Sequence, residues 1–122
     1  MKTPSVVHFE IGCHSGDRTR EFFAKLFDWN ISGADAGMMI DTSGPGSIGG
    51  HIAELAAEWG TYVTVYVEVE DLEAYLKKAA DLGGKTLVPP VTLPGQGSFA
   101  WLAAPEGNII GIWKAAAVSK ME

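Results

Sequence analysis

From Val6 to Ile11 the chain alternates: Val7, Phe9 and Ile11 make one apolar face, and Val6, His8 and Glu10 make a mixed one. That period of two predicts a strand buried on one side. Ser15-Gly16-Asp17 then supplies an N-cap and an acidic first turn. Phe22, Phe23, Leu26 and Phe27 follow at helical spacing, which predicts a short helix burying that stripe and ending near Asp28-Trp29-Asn30. Residues 62–70 repeat the strand pattern, with Val63, Val65, Val67 and Val69 opposite Tyr62, Thr64, Tyr66 and Glu68. Asp71 caps a second helix along Leu72, Tyr75, Leu76, Ala79, Ala80 and Leu82, and Gly83-Gly84 stops it. Short apolar stretches at 86–88, 98–103 and 109–113 are separated by Pro89-Pro90, Pro94-Gly95-Gln96-Gly97 and Pro105-Glu106-Gly107-Asn108. The last of these reads as a hairpin turn.

Both halves follow one plan of strand, helix and short strands, and the helix starts at Asp17 and Asp71 stand about half the chain apart. The pattern predicts one α+β domain built from a duplicated unit, module one over about 1–58 and module two over about 59–122, with the junction in 44–60. One domain suits 122 residues, and 47% hydrophobic content supplies its core.

The formal charge is −6, from 9 Lys and Arg against 15 Asp and Glu. An acidic chain without a basic cluster repels phosphate backbones, so nucleic acid is not an expected partner. No apolar run is long enough to span a bilayer, and Met1-Lys2-Thr3-Pro4 leads straight into a strand without a leader's apolar core. Cys13 is the single cysteine, which excludes an internal disulfide and a thiolate zinc cluster. These features predict a soluble cytoplasmic protein that meets neither membrane nor nucleic acid.

The layout resembles the vicinal oxygen chelate superfamily, the glyoxalase, bleomycin-resistance and dioxygenase group, over nearly the whole chain. In the first half the resemblance rests on His8 in the strand, Asp17, Phe22-Phe23 and Leu26-Phe27-Asp28-Trp29. In the second it rests on residues 66–72, Leu82-Gly83-Gly84-Lys85, the Pro94–Ala100 stretch and Pro105-Glu106-Gly107-Asn108. Ala104 departs from the family, which commonly has Asp before that proline. The resemblance implies two βαβββ modules whose mixed sheet curls into a cup, with helices on the convex face and the ligand on the concave one. It places His8, Glu10, Tyr62, Thr64 and Tyr66 in the cup.

Metal-dependent members hold an ion by four concave-face ligands, one from each of four strands. Carried onto this chain, those positions are His8, Gly50, Thr64 and Gly111. One His, one Thr and two glycines do not rebuild such a site, so no cofactor is expected. A slip or bulge that turned His51 inward would instead gather His8, His51 and Glu10 around a Ni, Zn, Fe or Mn ion. Glu10 in an aromatic-lined cup has its pKa raised by desolvation and, beside His8, suits a general base. Trp101, Trp113, Tyr62 and Tyr66 suit stacking on a planar or apolar ligand, or filling the core.

Gly44-Pro45-Gly46-Ser47-Ile48-Gly49 fits a dinucleotide-binding fingerprint, and residues 52–58 after it have helix propensity. That helix would be too short for a crossover, and Pro45 stiffens a loop whose amides must turn to phosphate. The segment reads better as a Gly-rich hairpin and linker. Cys13 beside His14 has no third group and reads as a small buried or half-buried side chain, with His14 at the surface.

Three readings result. The first is a metal-independent protein that binds a small organic molecule, like the antibiotic-sequestering members. The second is a metal-dependent enzyme, lactoylglutathione lyase-like, an isomerase or dioxygenase-like. The third is a metal-free acid–base enzyme using Glu10 and His8. A homodimer is expected, since two-fold dimers are the commonest assembly. Candidate ligand-binding residues are His8, Glu10, His51, Tyr62, Thr64, Tyr66, Trp101 and Gly111.

Overall fold

A computed structural model describes residues 3–34 and 37–116. Met1 and Lys2, read above as the leaderless start, lie outside the described residues. Eight strands and two helices follow in the order β1 (Ser5–Cys13), α1 (Gly16–Phe27), β2 (Asn30–Ser32), β3 (Met38–Asp41), β4 (Gly49–Glu54), β5 (Tyr62–Glu68), α2 (Leu72–Asp81), β6 (Lys85–Leu93), β7 (Gly97–Ala103) and β8 (Ile109–Ala115). The fold is α+β. It divides into two compact units, residues 7–65 and residues 66–116 with 3–6.

The first four strands run in the order β2-β3-β4-β1, and the last four in the order β6-β7-β8-β5, with β5 beginning in the first unit and ending in the second. The two orders are the same in module terms. Each unit pairs its first strand with its last in parallel and joins the others antiparallel.

Parity divides each sheet. In the first unit Ile11, Cys13, Ile31, Met38, Ile40 and Ile52 form the core, with Phe9, Phe23, Ala24 and Trp29 against it. The odd positions of β1 therefore face α1, as the alternation predicts. In the second, Val69, Leu72, Leu76, Ala100 and Ile112 pack with Val67, Tyr75 and Leu102. Both helices begin at the predicted caps. Ser15 accepts from the Arg18 amide and Asp71 from the Ala74 amide. The glycine stop after α2 also holds, with Gly83 at φ 99°.

Four details differ from the sequence pattern. Only Phe23 of the α1 stripe packs inward as expected; Phe22, Leu26 and Phe27 are exposed. Asp28, left-handed at φ 60°, turns the chain so that Trp29 lies across Phe9, Phe23 and Phe27. Val63 is exposed, whereas Val67 and Val69 pack in the core of the second unit. Residues 49–54, read as linker with helix propensity, form β4, because Ile52 supplies a fully buried side chain. Pro89-Pro90 lie inside β6 at a bulge rather than ending the strand, which an edge position tolerates. No helix among the described residues is long and apolar enough to cross a membrane.

Candidate functional site

In the first unit the even positions of β1 turn away from α1 and its core. Parallel pairing sets Glu10 opposite His51 and Phe9 opposite Gly50. Paired residues share a face, so His51 joins His8 and Glu10, while Gly50 belongs to the helix side. A Cβ on Gly50 would stand 2.6 Å from the Phe9 carbonyl oxygen and 2.8 Å from its ring. The assignment of Gly50 as closing residue is thus corrected by one position, and no slip or bulge is needed. The second unit has the same register, with Tyr66 opposite Gly111. Position 51 therefore corresponds to 111, and 8 to 64.

The assembled group is a chain of polar contacts. His8 Nε2 lies 2.7 Å from His51 Nδ1, and the rings stack with centroids 5.0 Å apart. His51 Nε2 lies 3.2 Å from Glu10 Oε1. The Tyr62 hydroxyl donates to Glu10 Oε2. Glu10 is 4% exposed. A buried carboxylate costs several kcal/mol unless it is paired, and these two neighbours offset that cost. The His8 imidazole is held below its ordinary pKa, first by burial, then by the adjacent His51, with Glu10 pulling the other way.

Gly12 explains how Tyr62 reaches Glu10. A Cβ there would overlap the Tyr62 ring. The missing side chain lets the ring lie on the strand and aim its hydroxyl along it. The sequence reading passed over this glycine, although a glycine inside an alternating strand marks close approach.

The candidate residues of the second unit form their own group. Trp101 Nε1 donates to the Tyr66 hydroxyl at 2.8 Å, and Phe99 meets the Tyr66 ring edge-on at 6.3 Å. Gly111 offers no donor. A Cβ there would stand 2.5 Å from the Tyr66 ring, so Tyr66 fills the space a metal-ligating side chain would need. Trp113 lies over Gly97 in the same manner. Thr64, in the first unit, is buried at 4% exposure. His14 is at the surface and meets the Trp59 carbonyl oxygen, and Cys13 is buried and unoxidised.

Two imidazoles and a carboxylate are a donor set that divalent transition metals accept. Their arrangement is linear rather than convergent. His8 and Glu10 address opposite nitrogens of the His51 ring, so no single point touches all three. Two imidazole nitrogens on one tetrahedral zinc stand about 3.4 Å apart, given Zn–N bonds of about 2.0–2.1 Å. His8 and His51, at 2.7 Å, are instead at the distance of a shared proton. No group of three His, Cys, Asp or Glu among the described residues is placed to hold an ion. The residues do not fit a metal centre in this arrangement.

No family model matches the chain. Over 52 residues, 43% of its length, it is 40% identical to CFP32 of Mycobacterium bovis and of Mycobacterium tuberculosis, each provisionally named a glyoxylase. That match spans 20% of the relatives' own length. Among solved structures, methylmalonyl-CoA epimerase from Mycobacterium tuberculosis superposes with TM-score 0.66 at 13% identity, covering 96% of this chain and 94% of that one. A hypothetical protein from Bacillus halodurans gives 0.72 at 12% identity, covering 98% and 99%. A glyoxalase/bleomycin resistance protein/dioxygenase superfamily member from Vibrio splendidus gives 0.65 at 15% identity, covering 92% and 99%.

Proposed function

We propose, for a chain that has the glyoxalase/bleomycin resistance protein/dioxygenase fold, that it binds a small organic molecule on the sheet face carrying His8, Glu10, His51 and Tyr62, without a resident metal. The observation that carries this reading is the buried Glu10, held by a tyrosine and a histidine on the face that turns away from the core. Folding alone gives no reason to place a carboxylate there, because apolar residues would fill the position at lower cost.

Two measurements test it. Protein purified without an affinity tag carries far less than one equivalent of Ni, Zn, Fe or Mn. One equivalent, lost on His8→Ala, overturns the metal-free reading. A fragment library screened by NMR yields binders that shift the His8 and His51 ring signals, and Glu10→Gln weakens them. A library without such binders overturns the ligand reading.

A second reading is favoured by the placement of His51 between His8 and Glu10. It is acid–base catalysis on the bound molecule, with His8 and Glu10 as the proton-handling groups.

A further inference from the structure

Arg18, Glu21, Phe22, Lys25 and Leu26 stand at i, i+3, i+4, i+7 and i+8, so they share the side of α1 that points away from the first unit's core. They line an open hollow there, in which Phe22 and Leu26 are 57% and 55% exposed. We propose that this face docks on the same face of a second copy of the chain, with the two α1 helices antiparallel across a two-fold axis.

The charges beside the apolar stripe select that occupant. Along one flank of Phe22 and Leu26 run Arg18, Glu21, Lys25 and the exposed C-cap Asp28, alternately positive and negative. Reading this row backwards reverses every sign. A two-fold axis set across the helices brings each flank against its own copy in reverse order. Arg18 then faces Asp28 of the second copy, and Glu21 faces Lys25 of the second copy, both pairs centred on Phe23. The apolar flank also meets itself. Phe22 of one copy lies about 3 Å along the axis from Leu26 of the other, two residues' rise. A two-fold axis parallel to the helices would instead press the charged flank on the apolar one.

Glu21 and Lys25 already pair within one helix at 2.8 Å, with side chains 65% and 75% exposed. Two such pairs meeting in opposite directions close a ring of four charges without breaking either pair. The row as a whole is neutral, so it adds no repulsion of its own between two chains that each carry −6. The helix has 12 residues. An interface built on it alone is small, under about 1,200 Å², the class whose complexes form and part readily. The dimer is therefore expected to exchange with monomer.

Sedimentation equilibrium of the full chain at low salt, where exposed charges are least screened, reads the association. The wild type is expected as a monomer–dimer mixture between about 10 µM and 1 mM. Leu26→Glu weakens the dimer about tenfold or more, the effect of replacing an apolar anchor by a charge. Glu21→Lys and Lys25→Glu each set like charges opposite one another at two symmetric contacts, and each alone weakens it roughly tenfold. Mixed in equal amounts, these two variants present opposite signs at both contacts and recover a dimer with one chain of each. Mixing does not repair a helix weakened within its own chain, so the recovery separates docking from a local effect. All three positions are exposed, which leaves the fold of the monomer intact. A monomer at every concentration overturns the proposal. So does a dimer that Leu26→Glu leaves unchanged, or a mixture of the charge variants that associates no better than either alone.

Discussion

At the scale of single residues, the site depends on side chains that are missing as much as on those present. Gly12 and Gly111 each leave room for a tyrosine ring. Gly12→Ala pushes the Tyr62 ring off the strand and away from Glu10. Overpacking of this kind costs about 1–3 kcal/mol, to be read as a lowered denaturant midpoint. Tyr62→Phe keeps the ring and removes only the donor, so it costs roughly 1.5–3 kcal/mol through a carboxylate left short of one partner. His8 and Glu10 were legible as one face from alternation, because parity follows from strand geometry alone, while Tyr62, on another strand, joined them only through the resemblance. His51 was not. Its face depends on which residue of β4 stands opposite Glu10, and a tertiary pairing is not written in β4's own period. The two glycines before it left the local pattern without a phase.

At the scale of elements, caps and turns were the most legible features, because they are satisfied within a few residues. Ser15 and Asp71 act on amides three residues ahead of them. Replacing Asp71 by Ala costs about 1 kcal/mol, measurable as a lower thermal midpoint. The stripe on α1 was less legible, since helical spacing shows that residues share a face but not how wide a face the sheet covers. Phe23 falls inside the covered strip while Phe22 and Leu26 fall outside it. The helix propensity of residues 52–58 is overridden for a related reason. Ile52 has no exposed surface, and burial in a strand outweighs the few tenths of a kcal/mol that propensity offers. Ile52→Ala is accordingly the severe change in β4, at about 2–5 kcal/mol by chemical denaturation.

At the scale of the molecule, the duplicated plan was readable because each unit repeats an entire sequence of elements, down to the same strand order. The divergence between the units lies in the side chains that the plan presents. Positions 8, 10 and 51 carry His, Glu and His, and positions 64, 66 and 111 carry Thr, Tyr and Gly. The imidazoles and the carboxylate stand in the first set. Stability should report this. His8 binds a proton less readily when folded than its ordinary value of 6.5 implies, with His51 and Glu10 the ionisable groups facing it. Its contribution is complete above that value and is lost as pH falls through the lower folded one. The thermal midpoint is expected to drop as pH goes below 6.5, and His8→Gln to flatten that slope. An identical slope in the variant would assign the acid sensitivity to other groups.

Pro89 and Pro90 sit on the outermost strand of the second unit, at the place where two residues of β6 face one of β7. Neither proline has an N–H to offer, and the extra residue swings the backbone out of line. An incoming peptide trying to zip itself along that border would meet a gap in the ladder halfway. The border is thereby closed to fibril-like growth, and replacing both prolines with valine would open it to concentration-dependent polymerisation.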